Sequence, residues 1–232
     1  LGAEFRYSLT DEFARHYHDL GEAADAAGTV DHTQQKAVYD RRDRARKALG
    51  ELIIDRINRR RSAGESHDDL LQVYMDATLL DGSKLTDEQV AGMVVWFMFA
   101  GHHTSANTAA WTLVELARYP HFGAEVTAEV DQLFATETEL SFRALRKMPV
   151  MEGFIREILR VHPPLNALCR RVMQDFHYKD YLIEAGKNVM LAPYVAHRLP
   201  QYFPDPERFD PHRPEPENVF AYIPFGGGQR KC

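Results

Sequence analysis

Two cysteines, Cys169 and Cys232, are all that the 232 residues contain. That is too few for a disulfide framework, and neither has a Cys or His partner at zinc spacing, so a tetrahedral zinc site is not expected. Cys169 reads as a small buried apolar residue. The chain also lacks any apolar run near the ~20 residues that span a bilayer, and its start has no signal-peptide pattern. A reducing setting, cytoplasmic or facing the cytoplasm, is expected, and any membrane anchor would lie before the first residue. There is no excess of positive charge: the net charge of -6 gives no whole-chain attraction to nucleic acid or to an acidic membrane. Repeats and low-complexity tracts are missing too. Arginines 41, 42, 44, 46, 56, 59, 60 and 61 do cluster, but they alternate with Asp43, Glu51 and Asp55 and with Leu49, Leu52, Ile53 and Ile57. The pattern is that of an amphipathic helix with a solvated basic face.

What the chain has is a distinctive end, Phe225-Gly226-Gly227-Gly228-Gln229-Arg230-Lys231-Cys232. A cysteine binds metal as thiolate, and backbone N–H groups from a loop without bulky side chains can approach the sulfur and hold its charge. Gly228 and its two neighbours permit that approach. Phe225 would cover the sulfur from water. Arg230 sets a permanent positive charge where the carboxylates of a large planar cofactor could sit. Haem iron, which needs one strong protein ligand, is the natural acceptor. The same residues also read as a flexible glycine linker ending in an incidental thiol, and the tail alone does not separate the two readings.

Three further segments matter. Glu157 and Arg160 are three apart on one helix face, and Val161-His162-Pro163-Pro164 ends that helix. Pro204-Asp205-Pro206-Glu207-Arg208-Phe209-Asp210-Pro211 is a proline-rich meander with an arginine of its own. Ala100-Gly101-His102-His103-Thr104-Ser105 interrupts a long apolar helix with a small residue, ionisable residues and a hydroxyl. In this order, the oxygen-helix segment, the Glu-x-x-Arg pair, the Pro-Glu-Arg-Phe segment and the Phe-x-x-Gly-x-Arg-x-Cys loop resemble the cytochrome P-450 haem-thiolate monooxygenases. Within that superfamily, Gly101-His102-His103-Thr104-Ser105, the run 13–20 and the stretch 141–164 look like the bacterial sterol 14α-demethylase branch. Arg230 departs from it, standing where many sterol demethylases have histidine. The resemblance covers the whole chain, which looks like an internal fragment without the family's N-terminal sheet and helices or the helix after the cysteine.

The expected fold is mainly α with small β-sheets, a partial cytochrome P-450 domain. It is mostly helical over 1–165, carries short strands over 166–199, and ends in a meander and cysteine ligand loop over 200–232. Helices are predicted at 11–20, 34–61 and 67–80, with a loop over 23–33. The capping-box spacing of Thr86 and Gln89 then starts a helix running to about Arg118, buried on every side over its apolar 93–99 stretch. Further helices are predicted at 121–135, 142–146 and 150–160, and strands around Val172, 181–183 and 189–191. Turns fall at Lys179-Asp180 and Ala185-Gly186. Six prolines in the seventeen residues from Pro200 exclude regular structure there.

The resemblance assigns roles. Cys232 is the axial ligand of haem b. Arg170, next to Arg171, and Arg230 hold its propionates, with Phe225 and Gly228 beside it. The Thr104 hydroxyl either bonds the Ala100 carbonyl or turns toward oxygen and water to pass protons, with His103 as a relay. His102 and His103 cannot readily bind one metal together, and one of them is structural. Glu157 and Arg160, with Arg208 as third partner, are scaffold, and His162 belongs to the helix stop. Residues 165–168 border the substrate space, where polar Asn166 fits a sterol less well. The implied reaction is insertion of one atom of O2 into an apolar, sterol-like substrate, with electrons from a ferredoxin or flavin reductase. The protein would act as a monomer without nucleic acid. A haem-thiolate isomerase or peroxygenase, which has no need of Thr104, and an inactive helical interaction module are the alternatives.

Overall fold

The computed structural model describes residues 11–26, 32–137 and 140–232, without the side chains of 23–26, 32–35 and 230. Two compact units, Leu1–His102 and His103–Cys232, divide the chain.

The first unit holds α1 (Asp11–Ala26), α2 (His32–Ala63), α3 (Leu70–Asp76) and the start of α4 (Asp87–Arg118). On α2, Leu49, Ile53 and Ile57 recur every four residues and are fully buried. They pack against Phe13 of α1, Leu71 of α3, and Val90 and Val94 of α4. Such a stripe gains ~1.5–3 kcal/mol per side chain, so it outweighs the mediocre helix propensity of β-branched residues. α1 extends into the segment expected as loop because Ala23, Ala24 and Ala26 favour helix; residues 27–31 of that expected loop lie outside the described set. The expected 67–80 helix is shorter. Asp69 caps it by accepting from the Gln72 amide at 3.0 Å. It ends where Thr78 bridges Lys84 across a turn at Gly82, φ 84°. The Thr86–Gln89 capping box starts α4, with bonds of 2.8 and 3.3 Å in the two directions.

Two expectations about this unit are corrected. The basic face of α2 is not wholly solvated: Arg60 is buried and makes a bidentate pair with Asp69 at 2.9 and 2.6 Å. Bonding to Arg60, ahead of the bond from the Gln72 amide, holds the Asp69 carboxyl below its ordinary range. Nor is the 93–99 stretch buried on every side. Val94 and Val95 are buried, but Met93, Trp96 and Phe97 are 40%, 63% and 46% exposed, because the described partners cover one stripe of the helix only.

The second unit contains the rest of α4, then α5 (Pro120–Thr136), α6 (Phe142–Leu145), α7 (Pro149–Val161), β1 (Leu168–Arg171), β2 (Phe176–Tyr178), β3 (Tyr181–Ile183), β4 (Asn188–Leu191) and α8 (Pro193–Ala196). α5 and α7 each begin on the proline itself, whose missing N–H is harmless in a first turn. Phe154 and Ile158 of α7 form the core with Val126 of α5 and Phe209 of the meander, and Tyr119 stacks on Phe209 at 4.9 Å. β1 pairs antiparallel with β4, Leu168 opposite Leu191, and β2 pairs with β3 through a turn in which Lys179 has φ 53°. The strand expected around Val172 lies just before it, although Val172 still exchanges backbone bonds with Lys187 and Gly186 at 2.8 Å. β2 and α8 were not expected. Cys169 is exposed rather than buried: in the two-stranded β1–β4 sheet only Leu168 of β1 is covered. From Pro200 onward only a 3-10 turn, Gly228–Arg230, is regular.

Candidate functional site

One turn of α7 separates Glu157 from Arg160, and both are buried, at 3% and 1% exposure. Their side chains meet in a fork: Arg160 Nε donates to Glu157 Oε2 and Nη2 to Oε1, each at 2.8 Å. The guanidinium has donors left over, and they go to backbone carbonyls, Nη1 to His197 at 3.0 Å and Nη2 to Arg208 at 3.2 Å. Glu157 Oε1 accepts in turn from the Asp210 amide at 2.9 Å. A buried ion pair is tolerable only when its remaining donors and lone pairs are used, and here they tie α7 to the meander.

The third guanidinium is not that of Arg208. Its side chain is exposed, 3.8 Å from Asp210, and only its carbonyl joins the cluster. Arg213 takes the place instead, with Nε 3.5 Å from Glu157 Oε1. Its other nitrogens donate to the carbonyls of Pro204, Asp205 and Arg208 at 2.5, 3.2 and 2.8 Å. The reason is geometric. Asp205 adopts φ 48°, and the Arg208 amide bonds its carbonyl at 3.0 Å, a turn that leaves the Arg208 side chain outside. Arg213 lies between Pro211 and Pro214 in the same meander, and the sequence alone does not say which of the two arginines turns inward.

His197 is the residue that sequence reasoning missed. It follows α8, is fully buried, and lies with its ring 5.2 Å from that of Tyr222. Burial lowers its pKa to about 4, so it is neutral near pH 7. Burial also pushes the Tyr222 phenol above its ordinary range, while its hydroxyl donates to the Arg156 carbonyl at 3.0 Å. A lone histidine between an alanine and an arginine carries no sequence signal for this placement. A second buried contact went unread as well. His162 caps α7 by donating its amide to Ile158 at 2.7 Å, and its ring stacks on Trp111 at 3.7 Å with Nε2 2.9 Å from buried Glu115 Oε1. These contacts fit the expected structural part in the helix stop.

In the terminal loop, Gly226 and Gly228 take φ 78° and 72°, conformations that strain any side chain. A Cβ at Gly226 would also stand 3.3 Å from Leu168 Cδ1. The Gly226 amide donates to Ile223 at 3.0 Å, and the Cys232 amide donates to Phe225 at 3.1 Å, so the loop folds back on itself. The Cys232 thiol is exposed.

Phe225 also faces a cavity of about 540 Å³. Thr104, Thr108 and Thr112 line it from α4, and Ile155 and Leu159 from α7. Spacing of four puts the threonines on one helix face. The Thr108 hydroxyl donates to the Thr104 carbonyl at 2.9 Å, and that of Thr112 to Thr108 at 2.7 Å. Of the residues predicted for the site, Thr104 and Phe225 meet on this wall. His103 is exposed beside Thr104. Arg170 is exposed on β1 with Nη1 on the Cys169 carbonyl at 2.9 Å, and it is not among the residues that line this cavity. Gly228 opens the 3-10 turn, and the Arg230 side chain lies outside the described set. His102, in the first unit, packs edge-on against Tyr17 at 5.4 Å, a structural contact. Among the described residues no helix is long and apolar enough to cross a membrane.

The family model described as Cytochrome P450 matches residues 9–232. The sterol 14alpha-demethylase of Mycolicibacterium vanbaalenii is 38% identical over 100% of this chain and 54% of its own length. The sterol 14-demethylase of Arabidopsis thaliana is 34% identical over 100% of this chain and 50% of its own. The chain thus spans about half the length of the curated relatives it matches. Among solved structures, a cytochrome P450DA heme domain superposes with TM-score 0.84 at 28% identity, covering 98% of this chain and 52% of that one. The retinoic acid bound cyanobacterial CYP120A1 gives TM-score 0.81 at 24% identity, covering 98% and 52%, a likeness of fold.

Proposed function

Because the chain belongs to the cytochrome P450 family, we propose that it forms the cysteine-ligand half of a haem-thiolate monooxygenase that inserts one atom of O2 into an apolar substrate. The observation that carries this reading is the cavity wall on which the α4 threonines meet Phe225, the residue that opens the cysteine loop. Its volume, about 540 Å³, falls within the range of small-molecule sites. Apolar walls, one row of hydroxyls and a nearby exposed thiol suit a flat, mostly apolar group that takes one thiolate ligand. Haem bound here would supply the iron at which dioxygen is activated.

The chain's own residues do the rest. Cys232 offers its sulfur as the ligand, from a loop whose left-handed glycines carry no side chain in its way. Phe225 shields that side of the cavity from water. Thr104 lines the same cavity from α4, where its hydroxyl can orient a water and hand on a proton, with exposed His103 as a link toward solvent. That hydroxyl favours oxygen insertion over an isomerase or peroxygenase. Arg230, and Arg170 after local rearrangement, would pair with the propionates. Glu157, Arg160 and Arg213 fix the scaffold and touch no reacting atom.

For the substrate we propose a sterol-like molecule oxidised at its 14α-methyl group. The support is identity of 38% and 34% to proteins named sterol 14-demethylases, together with the apolar cavity. Electrons would come from a ferredoxin or flavin reductase, on the cytoplasmic side, to a monomeric enzyme. The test is a reduced carbon-monoxide difference spectrum of the full-length protein. A thiolate-type Soret band that disappears in Cys232→Ser is expected, and a protein with no haem signal overturns the reading. Arg160→Leu should abolish haem incorporation, since it removes the bidentate partner of buried Glu157 and leaves only the longer Arg213 contact, a change that costs ~3–5 kcal/mol. Type I spectral shifts across a sterol panel then test the substrate class.

A further inference from the structure

We infer that His197 is the positioning residue that carries the geometry of the Glu157–Arg160 fork to the cysteine loop; the inference rests on the haem-thiolate reading above. Both ring nitrogens are committed to backbone groups of different segments. Nδ1 lies 3.2 Å from the Arg160 carbonyl, and the Ile223 amide donates to Nε2 at 2.8 Å. An amide N–H can only donate, so Nε2 is the bare nitrogen, and Nδ1 carries the hydrogen that the carbonyl accepts. The neutral tautomer is thereby fixed by its two partners.

The connection to Arg160 is reciprocal, because Arg160 Nη1 donates to the His197 carbonyl at 3.0 Å while the ring donates back to the Arg160 carbonyl. On the other side, the Ile223 carbonyl accepts from the Gly226 amide at 3.0 Å, and the adjacent Phe225 carbonyl accepts from the Cys232 amide at 3.1 Å. A run of hydrogen bonds therefore leads from the buried fork through one imidazole to the ligand residue. Tyr222, 5.2 Å away and tilted by 29°, and Phe203, edge-on at 6.3 Å, keep the ring from turning. The ring is wholly buried, so no water can replace either bond.

Two amide side chains separate positioning from simple support. Asparagine places its terminal amide near the Nδ1 position, where it can serve the Arg160 carbonyl but cannot reach Ile223. Glutamine reaches the Nε2 position and can accept from the Ile223 amide. The experiment uses the full-length protein with His197→Asn and His197→Gln, and reads the thiolate-type fraction of the reduced carbon-monoxide spectrum. Hydrogen exchange at the Ile223 and Gly226 amides is measured in parallel, with and without haem. His197→Gln should keep most of the thiolate-type band. His197→Asn should lose most of it to the shorter-wavelength band of a neutral or displaced ligand. It should also exchange the Ile223 amide about tenfold faster, as expected for loss of one buried hydrogen bond. Equal behaviour of the two variants, whether both intact or both impaired, overturns the inference. If the wild-type protein shows no haem band, the haem-thiolate reading fails, while amide exchange still decides whether His197 holds the loop.

Discussion

At the scale of the residue, identity and position part company in the meander. Arg208 and Arg213 are five apart and chemically identical, yet one guanidinium is exposed beside Asp210 while the other reaches Glu157 and three carbonyls. Exposed ion pairs contribute little, whereas hydrogen bonds to a charged group contribute ~1.5–3 kcal/mol. Arg208→Ala should therefore shift stability by no more than ~0.5 kcal/mol. Arg213→Ala should cost about 2 kcal/mol or more and lower haem content. Urea unfolding and haem-to-protein ratio of the two variants check this, and a reversed order would return Arg208 to the cluster. The Glu157–Arg160 pair was legible because helical spacing alone puts the two on one face. The third partner was not, because it depends on how a proline-rich turn points its side chains.

Among the elements, α7 and the meander come so close that one position has no room for a methyl group. A Cβ on Gly153 would lie 2.7 Å from the Pro211 carbonyl oxygen, a backbone atom that cannot swing aside. Helix propensity alone favours alanine over glycine by up to ~1 kcal/mol. Overpacking costs ~1–3 kcal/mol and wins at so short a contact. Gly153→Ala is expected to destabilise the protein by about 1 kcal/mol or more in denaturant titration; a net gain would mean the meander packs more loosely. Nothing in the sequence marks Gly153, since the contact joins segments nearly sixty residues apart. By contrast the start of α4 was written locally, in Thr86 and Gln89, and the starts of α5 and α7 in a single proline each. Local signals were readable. The reduced length of α3, the exposure of Cys169 and the path of β2 depend on pairing between segments and were not.

For the whole molecule, the buried neutral imidazole of His197 sets an acid response. Its pKa in the fold is about 4, below the ordinary histidine value near 6.5, so the unfolded chain binds the proton first. The stability it contributes is complete above pH 6.5 and falls as pH drops from there to about 4, where the folded form also protonates. Urea midpoints at several pH values across that window should decline, and His197→Gln should flatten the slope; an unchanged slope would assign the decline to other groups. Carboxylates such as Asp69, held low by Arg60, act only at more acid pH. Binary patterning along the chain correctly forecast a mainly helical protein with small sheets, but not which faces stay open. Met93, Trp96 and Phe97 belong to the group left open, on a helix whose other stripe is fully packed. The consequence is practical. Apolar side chains of that size in water adsorb to surfaces and to one another, so these three add to the tendency of the 232-residue polypeptide to self-associate in a test tube.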